Sequence, residues 1–360
     1  MRKSTKIVAF WAFLLILYRF FNDLFLHEWA LVECIYEIMK QSFPILLLIS
    51  IEYLQINNKK IIKAIFAASF VQILFGIAQL FDYKITIFNY LTHFPLLSAP
   101  ESTESYMIRS QRICGTEAIS IGFALFLGIF IIIAIAAYFR SRKTKYILYI
   151  IVCSILILYT QTRSAIYGIV PSILIAYFFS NRSSFKRILS YSLVVLLLFI
   201  GFNTIEKSIL KFSPRSKFEI GPNTYTKLSA TIYGSYATLK VSPLVGMPRS
   251  KHYSMIRLGA EELGEIINTK VKYGLTETYH NIIGFYIKNY GLIGIFLFSA
   301  LIFHIYKKII FKLDSRTKFM LLGVFIYFIQ YAMLHNNALM YSNFLWILLA
   351  IGDERNNLTV

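Results

Sequence analysis

Arg163 lies in the short polar stretch 160–164, between two apolar runs of the sequence. An arginine at the edge of an apolar layer has two interpretations. Either its side chain only extends to the polar interface, or it binds an anion there. A guanidinium presents a planar fork of donors that fits two phosphate oxygens at once. The second interpretation predicts a clamp for a phosphate or diphosphate group.

His280 precedes another apolar run and is followed by Asn281. A lone histidine at such a position is often only a solvated polar residue. Its unperturbed pKa of about 6.5 also suits a general base that removes a proton from a hydroxyl at neutral pH. We expect His280 to be this base, and His335 is a weaker candidate for the same site.

Further polar residues are expected on the same face, where they could bind the anion or a sugar. They are Arg112, Lys227, Asn281 and His335. The sequence contains no GxSxG or HExxH motif, and its expected external loops contain no Asp-x-Asp pair that could hold a divalent metal. We therefore expect chemistry without a metal or other cofactor.

The composition defines the setting in which these residues act. Hydrophobic types make up 57% of the 360 residues and charged types only 15%. A soluble globular chain is about a quarter charged, so this balance is typical of a polytopic membrane protein. Three cysteines without CxxC or His/Cys spacing predict neither a disulfide framework nor a zinc site.

Apolar runs predict about ten transmembrane helices and therefore an all-α membrane protein. The runs are 7–21, 41–56, 61–81, 118–139, 146–161, 164–179, 188–202, 281–304, 319–334 and 338–351. The first run has no small-x-small site after it, so we expect an uncleaved helix. The mixed segment 22–40 predicts an interfacial helix, and the polar stretch 160–164 predicts a turn.

Basic residues predict the orientation of these spans. The formal net charge is +19, and 19 of the 37 Lys and Arg residues fall in short segments that share one side of the membrane when the N-terminus is cytoplasmic. Loops 82–117 and 203–278 then lie outside, and a short helix is expected at 260–269 within the second. Residues 1–360 form one membrane domain in this scheme. The charge is explained by topology, so no nucleic-acid partner is expected.

Three patterns occur in order within residues 105–300. They are Arg-x-x-Gly-Thr (112–116), Thr-x-Thr-Arg-Ser (160–164), and His-Asn followed by Tyr-Gly-Leu-Ile-Gly (280–294). A Pro-Leu-x-Gly stretch (243–246) lies in the long loop between the last two. This ordered set resembles the O-antigen polymerase (Wzy-type) and O-antigen ligase superfamily.

The resemblance implies inverting, metal-independent glycosyl transfer from undecaprenyl-diphosphate-linked oligosaccharides, at the periplasmic face of the bacterial inner membrane. It matches Arg163 to the arginine of the turn and His280 to the histidine at the end of the long loop. Relatives often carry a second loop arginine where this chain has Lys227, and Arg215 or Arg249 are alternatives for that role. Membrane lipid and a chain-length regulator protein are further implied partners.

The resemblance leaves two functions open, and a third comes from another class of protein. A polymerase would join repeat units into an O-antigen, capsule or exopolysaccharide, and a ligase would transfer the same donor to lipid A core. The stretches 243–246 and 290–291 resemble polymerases slightly more. A flippase or transporter, the third function, would be expected to show internal repeats and ionisable groups at mid-membrane, whereas the apolar runs here carry few charges.

Overall fold

The computed structural model describes residues 1–27, 29–81, 113, 120–160, 162–180, 222–267, 281–312, 315–334 and 343–351. The regular structure within these ranges is helical, without a strand, so the predicted all-α class is confirmed for this part of the chain. The helices are α1 Lys3–Phe25, α2 Leu31–Tyr53, α3 Asn58–Phe81, α4 Ser120–Ser141, α5 Thr144–Thr160, α6 Arg163–Ser180, α7 Pro222–Val241, α8 His252–Ile267, α9 Ile282–Lys312, α10 Ser315–Leu334 and α11 Asn343–Leu349.

Five of these helices are long and apolar enough to cross a bilayer, namely α1, α2, α3, Gly122–Ser141 of α4 and Ile282–Ile310 of α9. Shorter apolar stretches occupy α5, α6 and α10. The chain is therefore a membrane protein with helical spans, and the total of ten stays a prediction. The predicted run 188–202 lies outside the described residues. Of the run 338–351 the structure describes 343–351, which contains the seven-residue helix α11.

The prediction of an interfacial helix over 22–40 is wrong. Helix α1 continues to Phe25 and α2 begins at Leu31, so the run predicted at 41–56 is the second half of a longer span. Two of the acidic residues that suggested an interface, Glu33 and Glu37, lie in the first two turns of α2. Glu33 lies in the first turn of α2, where the helix dipole favours a negative charge. Glu37 lies 3.5 Å from the ammonium of Lys40 one turn later.

The described part of the long loop is largely helical. The short helix predicted at 260–269 exists as the longer α8, and α7 was not anticipated. The two helices pack closely because Gly259 has no side chain: a Cβ there would lie 2.0 Å from the Tyr233 carbonyl oxygen. Lys240 of α7 pairs with Glu262 of α8 at 2.8 Å, and this hydrogen bond raises the pKa of the exposed lysine.

The helix break predicted at 160–164 is confirmed, since α5 ends at Thr160 and α6 begins at Arg163. The Thr160 hydroxyl donates to the Ile157 carbonyl at 2.7 Å and accepts from the Thr162 N–H at 3.3 Å. These side-chain bonds compete with the helical pattern and favour a helix end.

The chain divides into two compact units. The first contains Met1–Leu54, Ser190–Phe311 and Ala332–Ala350, and the second contains Gln55–Leu189, Lys312–Tyr331 and Ile351–Val360. In the second unit, Tyr327 of α10 is buried against α4: its hydroxyl donates to the Ala124 carbonyl at 3.3 Å, and its ring fills the space left by Gly128.

A buried ion network holds the first unit together at one end. The Glu52 carboxylate at the end of α2 lies 2.9 Å from Lys308 Nζ of α9 and 2.6 Å from a guanidinium nitrogen of Arg2. Thr5 of α1 bonds both Glu52 and Lys308, and Arg2 also donates to the Ala350 carbonyl at 2.5 Å. The start of α1 is thereby joined to the ends of α2 and α9.

We predict that Lys308→Met destabilises the protein by about 3–5 kcal/mol, because it removes one partner of a buried ion pair. The midpoint of thermal unfolding in detergent should fall accordingly. The matched control is Lys240→Met, which removes an ion pair of similar length whose lysine side chain is 57% exposed. That variant should unfold near the wild-type temperature. Equal midpoints for both variants would contradict a structural role for the network.

Candidate functional site

Helix α9 is interrupted at Gly291, whose backbone has φ 60° and ψ −159°. This conformation lies outside the helical region and is adopted readily only by glycine. The interruption divides α9 into residues 282–290 and 292–312. The second stretch alone has the roughly 20 residues that a membrane span needs.

A helix that breaks in an apolar setting leaves N–H and C=O groups that need other partners. Residues 243–247, which we name the docking segment, provide several of them. The N–H groups of Leu292 and Ile293 donate to its first two carbonyl oxygens at 2.8 and 3.2 Å. Its last N–H donates to the Lys288 carbonyl at 2.8 Å. The docking segment therefore replaces hydrogen bonds that the break removes.

Helix α1 and the residues just after it provide partners for the two carbonyls just before the break. The Tyr18 hydroxyl donates to the Tyr290 carbonyl at 2.8 Å, and His27 Nε2 lies 2.9 Å from the Asn289 carbonyl oxygen. Because a carbonyl only accepts, this contact places a proton of the imidazole on Nε2. The break is thus bound from both sides, by the docking segment and by α1.

Two further carbonyl groups of the docking segment are also bonded. Asn22 of α1 donates from Nδ2 to the Val245 carbonyl at 2.9 Å. His252, the first residue of α8, has Nε2 at 3.0 Å from the Met247 carbonyl oxygen. Three helices of the first unit therefore fix this segment.

Two glycines allow the close contact. Gly246 and Gly291 both have positive φ, at 83° and 60°. A Cβ at Gly246 would lie 2.5 Å from the carbonyl carbon of Asn289, and a Cβ at Gly291 would lie 2.4 Å from that of Leu244. Both neighbours are backbone atoms, so neither can move aside as a side chain could. The two backbones can approach this closely only with glycine at both positions.

A cluster of ionisable side chains is buried beside the break. The Tyr290 hydroxyl accepts a hydrogen bond from Arg19 Nε at 3.0 Å and donates toward the Asp23 carboxylate, 3.2 Å away. The Arg19 guanidinium lies 5.1 Å from the centre of the Tyr290 ring, and His27 Nε2 lies 3.9 Å from Asp23 Oδ1. All four residues are buried. We name them the α1–α9 cluster.

Sequence reasoning missed the α1–α9 cluster, although its spacing gives a signal. Arg19, Asp23 and His27 are four residues apart, and this spacing places side chains on one face of a helix. The signal was lost because the helix was expected to end near residue 21. Buried ionisable groups at the end of a span are rare and costly, so they mark candidate functional sites. This cluster can hold a polar ligand group or transfer a proton.

The structure places only some of the predicted site residues. Arg112, Arg215, His280 and His335 lie outside the described residues. Arg163 opens α6 in the second unit. Lys227 lies on α7, Arg249 opens the 3-10 turn Arg249–Lys251, and Asn281 directly precedes α9, all three in the first unit.

Asn281 has a structural task that the sequence did not indicate. Its Oδ1 accepts from the N–H groups of Ile283 and Gly284 at 2.8 and 3.3 Å, as in a helix N-cap. The cap fixes the start of α9 two residues after His280. A further contact of Asn281 with substrate stays a prediction.

No family model matches the chain, and no curated protein matches it. Among the described residues, no group of three or more His, Cys, Asp and Glu side chains could hold a metal ion.

We predict that Gly291→Ala loosens the docking segment. Alanine at this backbone conformation is strained by about 1–3 kcal/mol, and its Cβ would displace the backbone at Leu244. The thermal midpoint should fall, and trypsin should cut faster after Arg249 and Lys251 next to the segment.

Gly168→Ala is the matched control, because a Cβ there would meet only atoms of the Tyr327 and Gln330 side chains, at 3.2 Å or more. It should leave both readings near wild type. Unchanged cleavage in Gly291→Ala would show that the docking segment does not depend on the break.

Proposed function

We propose that the chain is a membrane glycosyltransferase of the O-antigen polymerase type, joining oligosaccharide repeat units carried on undecaprenyl diphosphate. The observation that carries the proposal is the contact between the docking segment and the break in α9. The Pro-Leu-x-Gly stretch and the Tyr-Gly-Leu-Ile-Gly stretch were both part of the resemblance, although about 45 residues separate them. Their backbones are hydrogen-bonded to each other.

This contact supports a preorganised site. It fastens the loop that carries Lys227 and Arg249 to the helix that begins just after His280. Catalytic groups act best when the backbone that carries them is held before substrate binds. In a chain of this type, broken helices are also expected where irregular backbone borders a binding cavity.

The orientation of the first unit supports the same proposal. The break in α9 lies at the opposite end of α1 from Arg2 and Glu52. The positive-inside rule assigns Arg2 and Lys308 to the cytoplasmic side. Under that assignment the break, the docking segment and the start of α9 are on the external side, where the lipid-linked donor would be used.

In the proposed reaction an acceptor hydroxyl oxygen bonds to the anomeric carbon of the donor, while the bond from that carbon to the diphosphate oxygen breaks. The electron pair of that bond stays on the lipid diphosphate. His280 takes the hydroxyl proton, and Arg163 with Arg112 stabilises the charge that develops on the diphosphate. Fixed donors at such a position each lower the barrier by about 3–4 kcal/mol.

We predict that Arg163→Lys impairs activity severely although the charge is kept, because a single ammonium cannot make the paired bonds of a guanidinium. His280→Ala should lower the rate by about 10²–10⁴-fold through loss of the base. The measurement is complementation of a strain lacking the gene, read as polysaccharide ladder length, with membrane levels checked by blot.

The matched controls are Arg257→Lys, at an exposed arginine of α8, and His304→Ala, in the same helix as the docking contact but stacked on Trp11. Both should restore full ladders. Wild-type ladders from well-expressed His280→Ala and Arg163→Lys proteins would remove the proposed base and anion clamp.

A transporter is the second candidate, and the α1–α9 cluster favours it. Buried ionisable groups in spans are typical of transport pathways. The sequence had indicated few charged residues within the apolar runs. The glycan that accumulates in a strain lacking the gene distinguishes the polymerase, the ligase and the transporter. Loss of a polymerase leaves single repeat units on the surface, loss of a ligase leaves long chains on the lipid carrier, and loss of a flippase leaves the lipid-linked units inside the cell. We expect the first result.

We also predict that the transfer reaction of reconstituted protein survives EDTA, because the proposed site stabilises the diphosphate with arginine and not with a metal. Reaction rates before and after chelation are the measurement. Loss of activity that magnesium or manganese restores would instead point to Asp23 and Glu28 as ligands.

A further inference from the structure

The second unit contains a cavity of about 470 Å³ that the proposed reaction does not use. Its walls come from the first turns of α3, the last turns of α4, the start of α5 and the start of α10. This volume is within the range of small-molecule sites. The cavity opens where two candidate spans end, because α3 begins and α4 finishes there.

Four cations line this cavity: Lys59, Lys63, Arg140 and Lys143. None of the described lining residues is acidic. Positive charges gathered around one cavity repel each other, and an anion bound among them removes this repulsion. The positive-inside rule requires basic residues near the ends of spans, but it does not require them to surround a cavity.

The helix directions add to the positive field. Helices α3, α5 and α10 begin at Asn58, Thr144 and Ser315, and lining residues lie within or beside the first turn of each. The N-terminus of a helix carries partial positive charge and backbone N–H groups suited to phosphate. The positive ends of three helices thus lie beside the four cations, and this field favours an anionic ligand.

The deeper wall is apolar, which restricts the ligand further. Ile133, Ala136 and Met320 line the cavity together with the cations. Ile133 lies two turns before Arg140 on α4, about 10 Å along the helix at 1.5 Å per residue. A ligand that fills both parts has a phosphate at one end and hydrocarbon at the other. Inorganic phosphate would leave the apolar wall uncovered.

We propose that this cavity binds an anionic phospholipid, with the headgroup phosphate among the four cations and the glycerol and first acyl carbons along Ile133 and Ala136. The lipid comes from the leaflet that faces the basic ends of the spans. Basic pockets between transmembrane helices are suited to anionic headgroups on physical grounds. This site is independent of the proposed glycosyl transfer.

The test uses the full chain purified in mild detergent, with dioleoyl-phosphatidylglycerol as probe and dioleoyl-phosphatidylcholine, whose zwitterionic headgroup has no net charge, as the comparison. Native mass spectrometry counts the lipid that stays bound. The pocket variant is Lys63→Gln with Arg140→Gln. The control is Lys60→Gln with Lys145→Gln, which removes the same charge from neighbouring positions that do not line the cavity.

The expected result is one retained phosphatidylglycerol whose dissociation constant rises about tenfold or more in the pocket variant, as the loss of charge-assisted bonds implies. The control variant should bind as wild type, and phosphatidylcholine should not be retained. Equal losses in both variants, or equal retention of both lipids, would overturn the proposal.

Two further measurements complete the test, a competition with inorganic phosphate and a second variant. Inorganic phosphate at matched concentration should not displace the lipid, and full displacement would assign the cavity to free phosphate. If the pocket variant fails to fold, Ala137→Leu replaces it, because it keeps all four cations and fills the apolar wall. Wild-type retention of phosphatidylglycerol by that variant would also overturn the proposal.

Discussion

A helix that breaks has backbone N–H and C=O groups without helical partners, and these groups must be bonded elsewhere. This constraint organises the first unit. The break at Gly291 is stable only because the docking segment and α1 supply partners on both sides. Helices α1, α8 and α9 and the connection between α7 and α8 are therefore fixed to one another at this point.

The same constraint explains why charged side chains are tolerated beside the break. Arg19, Asp23 and Tyr290 form one hydrogen-bonded chain, so each charge has a partner in a place where an isolated charge would be very costly. The Arg19 guanidinium also lies over aromatic rings, which replaces part of its lost hydration. Such a network is rigid when fully bonded, and a rigid polar site suits the positioning of a reacting group.

The sequence predicts some of these features and not others, for physical reasons. The turn at Thr160 was predictable because a 34-residue apolar helix would be about 51 Å long, far more than a bilayer needs. The start of α2 at Leu31 was not, because hydropathy does not register the stabilisation of Glu33 in a first turn. The break at Gly291 lies inside an apolar run and depends on bonds to residues about 45 positions away.

The distance between the two polar clusters on α1 is close to the thickness of a membrane. Thr5 contacts Lys308 at one end of α1, and Asp23 contacts Tyr290 at the other. Both pairs of positions, 5 and 23 on α1 and 290 and 308 on α9, are 18 residues apart, or about 27 Å at 1.5 Å per residue. This length is close to the hydrocarbon thickness of a bilayer, about 30 Å.

The antiparallel pair α1 and α9 is thus joined by polar contacts at both ends of an apolar stretch of membrane length. A shift of either helix along the other would separate the groups at both ends at once, so the depth of the break in α9 is set by the same contacts that hold the two helices together.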